Sequence, residues 1–187
     1  MLFGADLPEG FAYREAFITP DHERTLARAI AGVEFAAFEM RGVVARRRVA
    51  FFGQSYDEGP AQPIPDFLLP LRETIAAWAD IDPEAFAMAL INEYGPGAPI
   101  GWHRDAPQYD KVAGVSLLSA CRMKLRPYVA PRDLAAPGRS PRRTTHEIVL
   151  EPRSAYLIRG LARSGYEHSI PAVAALRYSI TFRTLRR

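Results

Sequence analysis

The sequence predicts an α+β fold, in which N-terminal helices pack on one face of a double-stranded β-helix, or jelly-roll, core. Helical periodicity is confined to the first part of the chain, whereas short β-type segments separated by turn residues fill the part from Phe86 onward. No internal repeat or low-complexity segment marks off a second domain. A chain of 187 residues is long enough to bury one such core. We therefore expect one domain over 1–187, with a helical layer over 1–85 and the jelly roll over 86–187.

Two helices are expected in the N-terminal layer. The first should cover 20–31, because Thr19 can cap it and Pro20 at the first helical position loses no hydrogen bond. The second should cover 66–80, where apolar residues recur at helical spacing. β-type segments and a Pro-rich loop are expected around them, at 34–40, 43–52 and 59–65.

The jelly roll is expected to consist of short strands joined by turns. The longest interruption, 130–145, is rich in Pro, Arg, Ser and Thr, and we interpret it as a hairpin loop. The predicted strands are 86–94, 112–118, 122–129, 147–150, 155–158 and 176–182.

The composition is not that of a secreted or membrane protein. No run approaches the ~18 consecutive apolar residues that cross a bilayer. The first residues lack the basic and apolar regions of a secretory signal. The single Cys121 cannot form a disulfide within the chain, as expected in a reducing compartment. We therefore expect a cytoplasmic monomer without membrane contact.

A histidine and a carboxylate two positions apart, His103 and Asp105, are followed far downstream by His168. Residues i and i+2 of a strand share a face, so His103 and Asp105 can converge on one ion, which His168 can reach from a distant strand. Two histidines and one carboxylate suit the facial triad of non-haem Fe(II), which leaves positions open for oxygen and a co-substrate. A His-x-Asp pair alone is common by chance. We interpret His22 and His146, the other histidines, as structural or surface residues.

The last predicted strand carries polar side chains on one face. Alternation places Tyr178, Ile180 and Phe182 toward the core and two arginines with two hydroxyls on the other side. Burying two guanidinium groups is costly without anions, and a dicarboxylate such as 2-oxoglutarate provides one at each end. The alternative is an edge strand with one face in water. With the histidines, this strand indicates an Fe(II)- and 2-oxoglutarate-dependent oxygenase; its polar residues are Arg177, Ser179, Thr181 and Arg183.

Basic charge is clustered and consists almost entirely of arginine. The net charge is +3, and Lys111 and Lys124 are the only lysines. The run Arg46-Arg47-Arg48 and the stretch 139–143 can form a nucleic-acid footprint, because arginine binds phosphate well. The alternative for each cluster is a solvated basic loop.

Three ordered motifs carry a family resemblance. Asn92-Glu93-Tyr94, a Gly-containing turn and His103-Arg104-Asp105 resemble the iron-binding core of the AlkB family of nucleic-acid dioxygenases. The end of the chain, 177–183, resembles the Arg-x-Asn/Ser-x-Thr-x-Arg signature of that family. The resemblance covers about residues 86–183 and is weaker before them. It implies an enzyme that uses Fe(II), 2-oxoglutarate and O2 to remove alkyl groups from bases of DNA or RNA, including in DNA repair, with release of succinate, CO2 and an aldehyde.

The resemblance also assigns roles. His103, Asp105 and His168 would bind Fe(II), and Arg177 would bind the distal carboxylate of 2-oxoglutarate. Arg183 would lie near the metal-proximal carboxylate and steady Asp105. Further hydrogen bonds to the co-substrate would come from Asn92, Tyr94 and Ser179.

Substrate contacts are predicted from aromatic and basic residues near the metal motif and in the segment 47–56, where this family carries its nucleotide-recognition lid. Bases are gripped by stacking once they leave the duplex. For Phe51 and Phe52 the alternative is a place in the core. The predicted contacts are Trp102, Tyr109, Arg47, Arg48, Phe52 and Tyr56.

One departure from the family concerns the substrate. Many DNA-repair members carry an acidic residue two positions after the metal-binding Asp, whereas this chain continues Asp105-Ala106-Pro107, and Asp110 comes three positions later. This leaves room for a tRNA modification, a protein or a small molecule as the target of the same chemistry. A catalytically silent RNA-binding jelly-roll module is the alternative from another functional class.

Overall fold

The structure is a computed structural model that describes residues 7–40, 43–54, 62–130 and 144–186. Tyr56 and the basic stretch 139–143 lie outside these ranges. The described strands are β1 (Phe11–Arg14), β2 (Ala36–Met40), β3 (Val43–Gly53), β4 (Phe86–Tyr94), β5 (Ile100–His103), β6 (Tyr109–Leu117), β7 (Cys121–Pro127), β8 (His146–Leu150), β9 (Ala155–Ile158), β10 (Tyr166–Ile170) and β11 (Arg177–Leu185). The helices are α1 (Pro20–Ile30), α2 (Leu69–Ala79) and α3 (Gly160–Ser164).

The strands form the two sheets of a jelly roll, which confirms the predicted fold class. The larger sheet has seven strands in the order β1-β9-β6-β11-β4-β3-β2, and the smaller has four in the order β5-β10-β7-β8. Every strand pairing in both sheets is antiparallel. The central strand β11 pairs with β4 on one side and with β6 on the other. The sequence motifs on β4 and β11 are therefore adjacent in space.

The two long helices begin and end for local reasons. The Thr19 side chain accepts a hydrogen bond from the backbone N–H of His22 at 3.1 Å and caps α1, as predicted. The predicted helix 66–80 begins instead with a 3-10 turn, Asp66–Leu68, and continues as α2. Pro70 lies in the first turn of α2, where its missing N–H breaks no helical hydrogen bond. Asp80 ends the helix in the left-handed conformation at φ 54°.

The larger sheet is the middle layer of the molecule. Alternate residues of its central strands, among them Ile91, Ile180 and Phe182, pack in one cluster with Leu26 of α1 and Ile75 of α2. The side chains on the opposite face point toward the smaller sheet. The two-residue period of β4 and β11 thus gives each strand one face for the core and one face for a site.

Residues 1–85 contribute more than helices. Strands β1, β2 and β3 all belong to the larger sheet, and β3 pairs directly with β4. The expected division between a helical layer and the jelly roll therefore does not separate two packing units. The chain before Phe86 supplies both the helical cover and one edge of the sheet.

A close approach between two strands requires a glycine in β6. Gly114 is the cross-strand partner of Tyr156 in β9, and a Cβ at position 114 would lie 2.4 Å from the Tyr156 ring. The buried ring therefore occupies space that any other residue at position 114 would need.

We expect Gly114→Ala to destabilise the protein by about 1–3 kcal/mol, because an added methyl group overpacks the contact with Tyr156. Urea unfolding would measure this change. Gly101→Ala is the matched control, since a Cβ there meets no atom within 4 Å. Equal stability of the two variants would contradict the proposed crowding.

Candidate active site

A cavity of about 380 Å³ lies between the two sheets. One wall is formed by β3, β4 and β11, and the opposite wall includes residues of β5, β7 and β10. The cavity contains all three predicted metal ligands, His103, Asp105 and His168.

The two histidines are brought together by strand pairing. His103 at the end of β5 and His168 in β10 are cross-strand partners, and their ring centroids lie 4.3 Å apart. Asp105 lies beyond the end of β5, so the expected same-face geometry of one continuous strand was wrong in this detail. Its Oδ2 nevertheless lies 3.8 Å from Nε2 of His168. The three side chains are therefore neighbours, although they arrive from two strands and a loop.

A backbone contact sets the tautomer of His103. Its Nδ1 lies 2.9 Å from the carbonyl oxygen of Gly101. A carbonyl only accepts, so Nδ1 carries the proton and donates it to this hydrogen bond. The neutral ring then keeps its lone pair on Nε2, which is the nitrogen available to a metal.

The Asp105 carboxylate divides its two oxygens between two roles. Oδ1 accepts hydrogen bonds from Nε and Nη2 of Arg183, at 3.1 and 2.9 Å, whereas Oδ2 faces His168. Burial alone would raise the pKa of Asp105, but the neighbouring groups, first among them the charged Arg183, outweigh burial and hold it well below its usual range. The site therefore keeps a carboxylate anion with one oxygen free to bind a cation.

Both histidines are neutral at physiological pH. Burial lowers the pKa of His103, and burial together with the nearby His103 lowers the pKa of His168 to about 3. Neutral imidazole is the form that binds a metal. The 3.8 Å approach between His168 and Asp105 is therefore not an ion pair.

The donor set fits Fe(II). Two neutral imidazoles and one carboxylate oxygen are the ligands of a facial triad. Among the described residues, no three His, Cys, Asp or Glu side chains already point at one common ion position, so these side chains would reorient on binding. His103, Asp105 and His168 are the residues that would hold the ion.

A second buried charge, Arg177, lacks an anionic partner among the described residues. Its side chain is fully buried, and Nε donates to Oγ of Ser116 at 3.0 Å. Nη1 and Nη2 are buried without a hydrogen-bond partner in the described part of the chain. Unsatisfied buried donors of a charged group are costly, and a carboxylate satisfies a guanidinium with two parallel hydrogen bonds. The arrangement fits one carboxylate of 2-oxoglutarate.

The other predicted co-substrate residues line the cavity, whereas Arg177 itself is not among its lining residues. Asn92 and Tyr94 point into it from β4, and Ser179 points into it from β11 as the cross-strand partner of Asn92. The Arg177 guanidinium lies 5.1 Å from the centre of the Tyr94 ring. Asn92 Oδ1 accepts a hydrogen bond from Arg47 Nε at 3.2 Å, which links β3 to this group.

The predicted substrate contacts divide by strand face. Arg47 and Tyr109 line the cavity. Arg48 points to the other face of β3, where Glu93 accepts its hydrogen bond at 2.7 Å. Phe52 also points away and lies in the core, so neither Arg48 nor Phe52 lines the cavity. Tyr56 lies outside the described residues.

Trp102 is also turned away from the cavity. Although it is adjacent to a predicted metal ligand, it does not line the cavity, and the Arg126 guanidinium lies 4.0 Å from its ring. Neighbouring residues of β5 alternate in direction, so the strand that aims His103 inward aims Trp102 outward. The predicted base contact at Trp102 would therefore have to form outside this cavity.

Several cavity residues were not predicted. Of the two adjacent aromatic candidates, it is Phe51 that lines the cavity and not Phe52, because the alternation of β3 gives the cavity Arg47, Val49 and Phe51. Val49, Met88, Leu90 and Tyr109 form a small apolar cluster of their own on this wall. The two-residue alternation of β3 and β4 was the available sequence signal for these residues, but the sequence alone did not show which face of the sheet lines the cavity.

Arg163 was also missed, and it positions the loop that carries Asp105. It lies in α3, is only 5% exposed, and its Nη2 lies 3.1, 2.6 and 2.9 Å from the carbonyl oxygens of residues 105, 106 and 109. One guanidinium nitrogen thus anchors three carbonyls of the loop. A five-residue helix has no periodicity from which this role could be predicted.

The chain is similar to known oxygenases over most of its length. Residues 35–183 match the model of the 2OG-Fe(II) oxygenase superfamily. Among solved structures, that of OsALKBH1 matches with a TM-score of 0.69 at 16% identity, covering 95% of this chain and 99% of that one. A prolyl-4-hydroxylase from Pseudomonas putida matches with a TM-score of 0.60 at 16% identity, covering 95% of this chain and 93% of that one. None of the described helices has the length and apolar character needed to cross a membrane.

We expect Arg163→Met to lower the affinity for Mn(II), as a stand-in for Fe(II), by about 10–100-fold, because it removes the anchor of the loop that carries Asp105. Anaerobic calorimetric titration would measure this affinity. The matched control is Arg159→Met, which changes an exposed arginine just before the same helix. A folded Arg163→Met variant with the affinity of the control would show that the loop keeps its geometry without Arg163.

Proposed function

The chain belongs to the 2OG-Fe(II) oxygenase superfamily, and on this basis we propose that it removes methyl or other alkyl groups from nucleic-acid bases. As a member it is a dioxygenase that uses Fe(II), 2-oxoglutarate and O2. Membership makes the chain an enzyme rather than a catalytically silent binding module, and the substrate is what is proposed. The proposal concerns the substrate and the roles of individual residues.

The observation that carries the proposal is the composition of the cavity opposite the three metal-binding candidates. An apolar wall of Val49, Met88, Leu90 and Tyr109 lies in the same cavity as the basic side chains of Arg47 and Arg104. The flat base of a nucleotide can pack on such a wall while the phosphates of the nucleotide bind arginines. The structural likeness to OsALKBH1 agrees with this substrate class.

In this proposal, the chain's own residues hold the reactants and exclude water. His103, Asp105 and His168 hold the iron, and Arg177 binds the distal carboxylate of 2-oxoglutarate. Arg183 keeps Asp105 ionised and oriented. Bound iron, 2-oxoglutarate and oxygen together supply hydroxylation of a C–H bond with release of succinate and CO2, and a hydroxylated N-methyl group breaks down to formaldehyde and the bare nitrogen.

Asn92, Tyr94 and Ser179 would complete the co-substrate site. All three lie on the cavity face, and all are buried. Because the hydrogen bond from Arg47 fixes the Asn92 amide, the Asn92 NH₂ group is left to donate to a carboxylate. This contact connects the lid-side strand β3 with the co-substrate.

A second candidate function keeps the cofactors and hydroxylates a protein or small molecule. Two observations favour it. Asp105 is the only carboxylate among the described residues that line the cavity, so no acid there faces a cationic alkylated base. The prolyl-4-hydroxylase of Pseudomonas putida also has a similar fold. Asp110, the possible substitute for the missing acid, lines a different cavity.

Product analysis on defined oligonucleotides tests the choice between the candidates. The protein would be reconstituted anaerobically with Fe(II) and 2-oxoglutarate and exposed to oxygen with methylated DNA and RNA oligonucleotides. Succinate and formaldehyde in equal amounts on one of them would support dealkylation. Succinate without formaldehyde on every oligonucleotide would overturn the nucleic-acid substrate and favour the second candidate.

We expect Arg177→Met to raise the KM for 2-oxoglutarate by about 100-fold or more, because it removes a buried charge-assisted pair worth roughly 3 kcal/mol. Mn(II) affinity should change far less, since Arg177 contacts none of the metal-binding candidates. Arg177→Lys keeps the charge and tests whether the bidentate shape matters, with an intermediate KM expected. An unchanged KM in a folded Arg177→Met variant would place the carboxylate site elsewhere.

We expect Phe51→Ala to raise the KM for a methylated oligonucleotide by about tenfold, since loss of one base–aromatic stack costs roughly 1–3 kcal/mol. The KM for 2-oxoglutarate should stay unchanged. Leu118→Ala is the matched control, because Leu118 is similarly exposed, at 40% against 39% for Phe51, but does not line the cavity. Equal effects of the two changes would remove Phe51 from the substrate site.

A further inference from the structure

A second cavity, of about 710 Å³, lies beside the loop that carries Asp105. Side chains of residues 104, 105, 106, 108 and 109 line the first cavity. Arg163, which anchors the carbonyls of the same loop, lines the second. Arg163 therefore connects the second cavity to the loop that lines the first.

The second cavity has an excess of positive charge. Lys111, Arg163 and Arg186 line it, against the single acid Asp110. The ion pairs formed among the described residues involve other side chains, so these three cations are not neutralised by a neighbouring carboxylate there. Such a concave site with net positive charge attracts anions.

The buried member of this group has an unused donor. Arg163 is 5% exposed, and its Nε is buried without a hydrogen-bond partner among the described residues. An anion in the cavity would offset the repulsion between Arg163, Lys111 and Arg186, which line it together.

Arg104 connects the two cavities along the surface. It lines the first cavity, and its Nη1 lies 3.4 Å from the carbonyl oxygen of Ser164, which lines the second. Its guanidinium lies 3.6 Å from the centre of the Tyr128 ring, and this cation–π contact limits its freedom. Arg104 therefore places a positive charge between the rim of the first cavity and the second cavity.

We propose that the second cavity binds a backbone phosphate of the nucleic-acid strand whose modified base occupies the first cavity. The inference rests on the proposed function and extends it, because it assigns the backbone to Lys111, Arg186 and Arg163 beside the Asp105 loop. Phosphate is the anion that a nucleic-acid substrate brings at regular intervals, and lysine and arginine are its usual partners. A free phosphate or a mononucleotide shares this chemistry, and the test below distinguishes them.

The test compares Lys111→Gln/Arg186→Gln with a matched pair of charge removals, Arg24→Gln/Arg28→Gln, on the exposed face of α1. Binding of a methylated single-stranded oligonucleotide, with Mn(II) and a 2-oxoglutarate analogue present, would be followed by fluorescence anisotropy at several salt concentrations. The site variant should bind about tenfold more weakly. The slope of log affinity against log salt should fall by about 0.7, since one phosphate contact on a single strand contributes about 0.7.

Substrates without a backbone identify the source of the phosphate. The ratio of the oligonucleotide KM to the KM of the methylated nucleoside should rise about tenfold in the site variant and stay constant in the α1 variant. A rise for the 5′-mononucleotide as large as for the oligonucleotide would overturn the backbone assignment in favour of a single-phosphate site.

Two further outcomes separate this inference from the proposed function. If the wild-type enzyme dealkylates an oligonucleotide and the site variant keeps its salt slope, the phosphate site is wrong while the proposed function stands. If the wild-type enzyme consumes 2-oxoglutarate but dealkylates no oligonucleotide, the proposed function is wrong, and so is the phosphate site that depends on it.

Discussion

The pair between Arg183 and Asp105 is the interaction on which the rest of the site depends. Both side chains are almost fully buried, at 10% and 6% exposed, so each charge would be unstable without the other. The pair also fixes which oxygen of the Asp105 carboxylate accepts the hydrogen bonds of Arg183 and which is left for a cation. Because Arg183 belongs to the central strand of the larger sheet, the carboxylate is positioned by the most extensively paired strand of the fold.

This dependence explains the polar face of the larger sheet. Arg177, Ser179, Thr181 and Arg183 lie on consecutive inward positions of β11, where apolar residues would normally stand. Arg183 Nη1 donates to Thr181 Oγ1 at 2.8 Å, and Arg177 Nε donates to Ser116, so hydroxyl groups orient both guanidinium groups. A shift of one residue in the pairing of β11 would turn these charges into the helical core. The same register that builds the core therefore builds the site.

The sequence predicted the parts of the structure that depend on local pattern. The β-type run at 86–94 predicted the bounds of β4, and the cap at Thr19 predicted the start of α1. The sequence predicted that His103 and His168 lie on strands but not the bounds of β5 or β10, because four and five residues are too few to show a clear alternation. Phe51 and Phe52 are adjacent aromatic residues, and only the pairing of β3 with β4 decides which one faces the cavity. Arg163 depends on contacts between segments that are distant along the chain, which no local pattern records.

The pairing of His103 with His168 has a consequence for the folding of the chain. A metal held by both residues would be a cross-link between β5 and β10 that closes a long loop, and binding to the folded state alone adds stability in proportion to the logarithm of metal concentration. Closing such a loop is entropically costly, and a metal that joins its ends in the folded state would offset part of that cost. Bound iron would then hold β5 and β10 of the smaller sheet together, and its loss would loosen that sheet before the core that the helices cover.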